Sequence, residues 1–236
     1  MEHSLGRRLA AEGVGTALLL AGVVGSGIMA QRLAGGNVAV ALLANTLATG
    51  GVLVAIILAF GSISGGHFNP AVSIADAWRG GLEWRFVPAY VGVQVLGAIV
   101  GVAVANAMFG EPLLFASHRA RHGASQLLSE FVATFGLLLV IWGCTRYRSS
   151  VVPFAVAAYI VAAYWFTAST SFANPAVTIA RSLSDTFAGI APPDVLGFIV
   201  AQLLGAFAAT ALFAWLSSTP LAAKAVVVPH SPSKEI

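Results

Sequence analysis

Charged residues and cysteine are what this chain has least of. Charged side chains occupy 9% of its 236 positions and hydrophobic ones 58%. A soluble domain of this size would aggregate with so apolar a surface, so the composition predicts an integral membrane protein. The single cysteine, Cys144, excludes an internal disulfide and any metal site built from several cysteines.

Clustered basic charge is also missing. The formal net charge is +3, but the 12 Lys and Arg are scattered along the chain, which argues against a nucleic-acid partner. No nucleophile with a base, no paired carboxylates and no converging metal ligands stand out at one depth, so neither an enzyme nor a cofactor is predicted. His118 and His122, in the segment 110–124, could bind a metal or belong to a solvated basic loop.

Long apolar runs dominate what is there. Six of them can cross a hydrocarbon core of about 30 Å at about 1.5 Å per residue. The first contains Glu12 and is followed by five more, so it is interpreted as a span rather than a cleaved signal peptide. Residues 217–236, with three prolines and both lysines, are predicted to be a disordered tail. The spans are predicted at about 9–30, 37–60, 86–109, 126–144, 151–168 and 194–215.

Two copies of Asn-Pro-Ala-Val, starting at Asn69 and Asn174, lie between these runs. Asn is a preferred N-cap, and Pro fits the first helical position because its missing N–H is not needed there. Asp76 follows the first copy, and Arg181 the second, within about two turns, which is too early for a full span. Each copy therefore predicts a half-helix whose positive N-terminal end faces the middle of the membrane.

Other segments recur in the same order. Glu12, early in the first span, matches Glu130 in the fourth, and Gln94 in the third matches Gln202 in the sixth, each Gln being followed by a Leu-Gly-Ala sequence. The two halves are about 1–115 and 120–236. We expect one domain, because neither half could enclose a pore alone.

Two such boxes in a six-span chain resemble the aquaporin, or major intrinsic protein, family, over about residues 9–215. The resemblance implies an all-α integral membrane fold with six transmembrane helices and two re-entrant half-helices in an inverted repeat. It also implies a passive channel without a cofactor, in the inner cell membrane, assembled as a homotetramer in the lipid bilayer. The pore centre would be formed by Asn69, Pro70, Ala71, Asn174, Pro175 and Ala176.

Selectivity in that family depends on an outer constriction of four residues, normally with an Arg directly after the second box. Here that residue is Val177, and counting back as the family pattern suggests places the others at Thr49, Ala162 and Ser171. Loss of a guanidinium removes donors and charge. We therefore expect a wide pore for glycerol, urea and undissociated metalloid acids such as arsenous acid, similar to aquaglyceroporins associated with arsenic resistance. A water-selective channel and a proton-coupled transporter are the alternatives.

Several polar residues allow two interpretations each. Glu12 and Glu130 could couple protons or accept hydrogen bonds from the loop backbone, and the resemblance implies the second. Gln94 and Gln202 are predicted to support the loops or bond between helices rather than bind solute. His67 could line the cytoplasmic half of the pore or bond within its loop. Arg181 is expected to extend to the outer headgroups, with a position in the pore mouth as the alternative.

Basic residues in the loops predict the orientation. With a cytoplasmic N-terminus, eight of the 12 Lys and Arg lie on that side and four on the other. Cytoplasmic loops are enriched in Lys and Arg, so both termini are predicted to be cytoplasmic. The two half-helices then enter from opposite faces.

Overall fold

The computed structural model describes residues 3–217, and these fold into helices. Short 3-10 turns at Trp84–Phe86, Ser149–Val151 and Pro192–Asp194 precede three of the long helices. The predicted tail, apart from Ser217, lies outside the described residues. The α-helices are α1 Leu5–Leu33, α2 Val38–Ser64, α3 Pro70–Trp78, α4 Val87–Met108, α5 Ala124–Tyr147, α6 Val152–Phe166, α7 Pro175–Arg181 and α8 Val195–Leu216.

The six predicted spans are confirmed as α1, α2, α4, α5, α6 and α8, each part of a helical segment long and apolar enough to cross a membrane. Helix α1 extends about one turn beyond the predicted span at either end, because a helix keeps satisfying its backbone past the edge of the hydrocarbon. Helix α2 is capped by Asn37, whose side chain accepts from the N–H groups of Ala39 and Val40. It ends at Gly65, whose φ of +97° suits glycine.

Close helix crossings hold each half together. Helix α1 packs against α2 and α4, and α5 packs against α6 and α8. A Cβ at Gly97 or Gly101 of α4 would overlap the backbone of α1, and one at Gly205 of α8 would overlap the carbonyl of Phe131 in α5. Small residues thus let these backbones approach each other, as they do in membrane helix pairs.

The half-helices join the two halves. Helix α3 contacts α8, and α7 contacts α4, so each half-helix packs against a span of the opposite half. Helices α3 and α7 also contact each other. Their N-terminal ends meet in the interior, and this meeting point is where the site is built.

Candidate functional site: a cavity at the meeting of two half-helices

Asn69 and Asn174 cap the two half-helices and bond across the centre. The Asn69 side-chain oxygen accepts from the N–H of Ala71 at 2.9 Å, and that of Asn174 accepts from Ala176 at 3.0 Å. Asn69 Nδ2 donates to the carbonyl of Ala173 at 2.7 Å, and Asn174 Nδ2 donates to the carbonyl of Phe68 at 2.7 Å. An amide nitrogen carries two hydrogens. One hydrogen on each Asn therefore remains for the cavity that both residues line.

Glu12 anchors the loop before the first half-helix. Its carboxylate accepts from the backbone N–H groups of His67 at 2.9 Å and Phe68 at 2.7 Å. The Ser64 hydroxyl and the Gln94 amide donate to it at 2.7 and 2.8 Å. Glu12 is 0% exposed and does not line the cavity.

Glu130 performs the equivalent task in the second half. It accepts from the N–H groups of Phe172 and Ala173, both at 2.9 Å, and from the Gln202 amide at 2.6 Å. The same Gln202 nitrogen donates to the Thr178 hydroxyl at 2.8 Å. Glu130 is also 0% exposed and absent from the cavity lining. A proton carrier must reach the transport path, so this geometry fits loop support for both carboxylates and both glutamines.

The anchored loops hold an uncommon backbone conformation. Phe68 has φ +48° and Ala173 φ +49°, in the left-handed region that costs a non-glycine residue about 1–3 kcal/mol. Their N–H groups are the ones that Glu12 and Glu130 bind, and their carbonyls are the ones that the two asparagines bind. The buried glutamates therefore stabilise the conformation that turns these carbonyls toward the centre.

The cavity is small. Its volume is about 70 Å³, and one water needs roughly 10–15 Å³ on the same measure. It therefore has room for a few waters or one small solute. Most of its lining is apolar, including Leu19, Val23 and Val72. Its polar side chains are Thr49, His67, Asn69, Tyr164, Ser171, Asn174 and Arg181.

Three of the four predicted constriction residues, Thr49, Ser171 and Val177, line this cavity, but Ala162 does not. Ala162 is exposed on the outer face of α6, so this prediction was wrong. The inner face of α6 carries residues spaced by four, Val156, Ile160 and Tyr164, and a position two residues away points to the opposite side of a helix. Tyr164 lies in the lining instead, with its hydroxyl 3.4 Å from that of Thr49.

Arg181 also lies elsewhere than expected. It is 2% exposed and lines the cavity, so it does not extend to the headgroups. Its Nε donates to the carbonyl of Ala188, and its Cζ lies 3.4 Å from the centroid of the Phe172 ring. A helical side chain leans toward the N-terminus of its helix, which brings the guanidinium back toward Val177 and the cavity.

His67 lies at the cavity and also bonds within its own loop. It lines the cavity, and its Nδ1 lies 3.0 Å from the Ser73 hydroxyl within the same loop and half-helix. Its Nε2 is 3.6 Å from the carboxylate of Asp76. That neighbour was not predicted as part of the site, although its spacing of about two turns from Asn69 places it on the buried side of α3.

The loop between α4 and α5 contacts two aspartates. His118 Nδ1 lies 2.9 Å from Asp185, and His122 Nδ1 lies 3.8 Å from Asp194. Hydrogen bonds from the backbone N–H and ring of His118 hold the pKa of the Asp185 carboxyl below its usual range. Within residues 3–217, no three His, Cys, Asp or Glu side chains come together in a way that could hold a metal ion.

Comparison with known proteins gives concordant matches. The chain matches the Major intrinsic protein family over residues 2–161 and 146–235. It is 54% identical over 215 residues to aquaglyceroporin AqpS of Rhizobium meliloti, covering 91% of this chain and 92% of that protein. It is 29% identical over 188 residues to aquaporin NIP3-1 of Arabidopsis thaliana, covering 74% of this chain and 57% of that protein. The X-ray structure of the aquaglyceroporin from Plasmodium falciparum superposes with a TM-score of 0.66 at 20% identity, over 89% of this chain and 96% of that one, which shows a shared fold.

Proposed function

Because the chain belongs to the major intrinsic protein family, as its two Asn-Pro-Ala boxes predicted, we propose that it is a passive, bidirectional channel for water and small uncharged polar solutes. The observation that carries this proposal is the crossed pair Asn69 and Asn174. The pair presents amide hydrogens to a small, mostly apolar cavity. A solute with hydroxyl groups can exchange water for these donors without a covalent step.

Ions are poor solutes for this site. The few neutral ligands of the cavity do not replace a full hydration shell, and burying an uncompensated charge is costly. The N-terminal ends of α3 and α7 both point their positive dipole ends at the centre, which opposes cations further. Glu12 and Glu130 each accept two loop N–H groups and lie outside the cavity lining, so a proton-coupled transporter finds no support in their geometry.

The solutes we propose are glycerol, urea and undissociated metalloid acids such as arsenous acid. Val177 supports this range because an apolar side chain stands where the family normally has an Arg. The relative AqpS is called an aquaglyceroporin, and its high identity favours the same solute class here. Thr49, Ser171 and Val177, with Tyr164 in place of Ala162, are the proposed constriction, and Pro70, Ala71, Pro175 and Ala176 the proposed central turn.

Assembly and placement follow the same reasoning. We propose one channel domain made of two repeats, because the amide exchange at the centre needs both. We propose a homotetramer with one pore per subunit in the inner cell membrane, with both termini cytoplasmic, as the distribution of basic residues favours.

Stopped-flow measurements on proteoliposomes test the proposal. Gradients of an impermeant sugar, glycerol, urea and arsenous acid should give volume changes faster than in protein-free liposomes, with no dependence on a pH gradient. Solute uptake that requires a pH gradient would support a transporter instead. Equal rates with and without protein, for water and every solute, would reject the channel.

A further inference from the structure

One buried cation at the cavity, Arg181, has no direct ion-pair partner among the described residues. Within residues 3–217, the ion pairs closer than 4.0 Å do not include Arg181. Its Nη1 is buried without a hydrogen-bond partner, although only 2% of the residue is exposed. Buried polar groups are normally paired. An unpaired guanidinium nitrogen in the wall of a cavity therefore points to a partner that enters from the cavity.

Rigid contacts fix the position of this side chain. The Nε group is bonded to the carbonyl of Ala188, and the guanidinium stacks on Phe172. Phe172 is itself held, because its N–H donates to Glu130 and its ring packs edge-on against Phe198 at 5.2 Å between centroids. The charge is thus held in place before any solute arrives, and binding does not have to order it.

A second unpaired polar atom lies in the same lining. The Ser171 hydroxyl is buried, lacks a partner and belongs to the loop that precedes the second half-helix. Tyr164 contributes a third polar group there. Val177, one helical turn before Arg181, is apolar. Apart from Asn174 at the start of α7, the polar partners available to a solute near the second half-helix therefore come from Arg181, Ser171 and Tyr164 rather than from position 177.

We propose that Arg181 is the specificity-determining cation of this channel, supplying from the end of α7 the guanidinium that is missing at Val177. This proposal rests on the channel function proposed above, and it assigns two actions to Arg181. Arg181 donates to the oxygen of a neutral hydroxylated solute, and its charge repels cations. Arg181 stands one turn further along α7 than Val177. The apolar Val177 side chain therefore borders a space beside the guanidinium that accepts the carbon skeleton of a polyol.

Arg181→Gln tests the proposal, with Arg121→Gln as its matched control. Arg121 also lies near Phe172, at 4.9 Å, but it does not line the cavity, and it bonds to the carbonyls of Gly189 and Ser169, both at 2.8 Å. Burial lowers the pKa of Arg121 to about 10, which leaves it charged at neutral pH. Each variant therefore removes one positive charge from the same end of the protein.

The measurements are cation conductance in planar bilayers and the glycerol-to-water permeability ratio at equal protein density. For Arg181→Gln we expect cation conductance to rise at least about tenfold and the permeability ratio to change at least about twofold, since a charge and a donor both leave the lining. Arg121→Gln should keep both values of the wild type. A folded Arg181→Gln protein with wild-type conductance and ratio would overturn the proposal, as would equal cation leaks in the two variants.

Arg181→Lys covers the case in which Arg181→Gln does not fold. Lysine keeps the charge but loses the planar fork, so cation conductance should stay low while the permeability ratio changes. An unchanged ratio in this variant would overturn the role in solute selection, and a cation leak would overturn the role of charge. A wild type without water or glycerol flux would instead reject the channel function itself, which separates the two failures.

Discussion

Asn69 and Asn174 each hydrogen-bond to the carbonyl of the residue that precedes the other one, at 2.7 Å in both directions. Each side chain also caps its own half-helix through its oxygen. A single amide thus supports a helix end, ties the opposite loop and keeps one hydrogen for a solute. Only the amides of Asn and Gln combine two N–H hydrogens with an acceptor oxygen, and of these two Asn is the preferred N-cap.

Asn69→Asp and Asn174→Asp should each lower neutral-solute flux and raise cation leak. An aspartate still caps the helix, but it replaces the donor by an oxygen facing the carbonyl 2.7 Å away, and its charge attracts cations. Permeability and conductance measured on each variant check this. Asn37→Asp is the control, because Asn37 also caps a helix but is exposed outside the cavity. Wild-type flux and conductance in both central variants would remove these residues from the pore.

Glu12→Gln and Glu130→Gln should impair folding more than selectivity. In each variant the new NH₂ group faces N–H groups that donated to the carboxylate. The free energy of unfolding should therefore fall by about 1–3 kcal/mol for each hydrogen bond that is left unsatisfied. Thermal stability and membrane yield should fall, while the glycerol-to-water ratio of the folded fraction stays constant. Glu111→Gln, at a partly exposed ion pair with Arg32, should change neither. Normal yield with loss of pH-dependent uptake would point to a transporter.

Val177→Arg should narrow the pore. The new guanidinium enters the lining one turn from Arg181, and two unit charges about 4 Å apart at an effective dielectric of about 20 repel by about 4 kcal/mol. We expect the glycerol-to-water ratio to fall at least about tenfold, because steric blocking affects glycerol more than water. The repulsion should also lower water flux in the single variant. Adding Arg181→Val should remove the repulsion and restore water flux, while glycerol stays excluded. If neither variant lowers the ratio, Val177 does not border the solute path.

Gly97→Ala should separate α1 from α4. Its Cβ would overlap the backbone of Gly13, and overpacking of this kind costs about 1–3 kcal/mol. Gly92→Ala in the same helix is the control, since nothing lies within 4 Å of the new Cβ. Thermal melting in detergent should be lower for the first variant and equal to or above the wild type for the second. Equal melting temperatures would show that α1 can move away without loss.

Acid should loosen the loop at residues 110–123, between α4 and α5, from its contact with Asp185. The pKa of Asp185 is held below its usual value, so its contacts with His118 add stability above the unfolded pKa and lose it as the pH falls through the folded pKa. Hydrogen-exchange protection of the loop, measured against the intrinsic exchange rate at each pH, should therefore be higher at neutral pH than in acid. Asp185→Asn at neutral pH should resemble the wild type in acid. Pulse-labelling at both pH values measures this, and a loop equally protected at both would contradict it.

The boxes and the apolar runs were sufficient to predict the six spans, the half-helices and the family. Proline fixes the first turn after Asn69 and Asn174, so these helix starts depend on local sequence alone. The face of α6 could not be predicted in this way. That helix is apolar all round, so no hydrophobic periodicity distinguishes Ala162 from Tyr164. Which of them faces the cavity is decided by the neighbouring helices.

The buried position of Arg181 could not be predicted from the sequence either. A cation near a membrane end usually reaches the headgroups. Here, the carbonyl of Ala188 and the ring of Phe172 hold it inside, and both contacts come from segments that flank α7 in the sequence. The stretch 182–190 carries no signal of its own that it folds over the side chain. Only the tertiary path of that stretch places the cation in the cavity.

The crossed amide bonds also determine when the centre of the protein can assemble during synthesis. The two bonds join positions 104 and 106 residues apart, so the first half-helix waits without its partner while the ribosome makes the second half of the protein. During this interval the Asn69 amide and the Phe68 carbonyl lack the partners that they have in the folded protein. The centre can therefore close only after residue 174 has been made, and a chain that stops before Asn174 cannot form both crossed bonds.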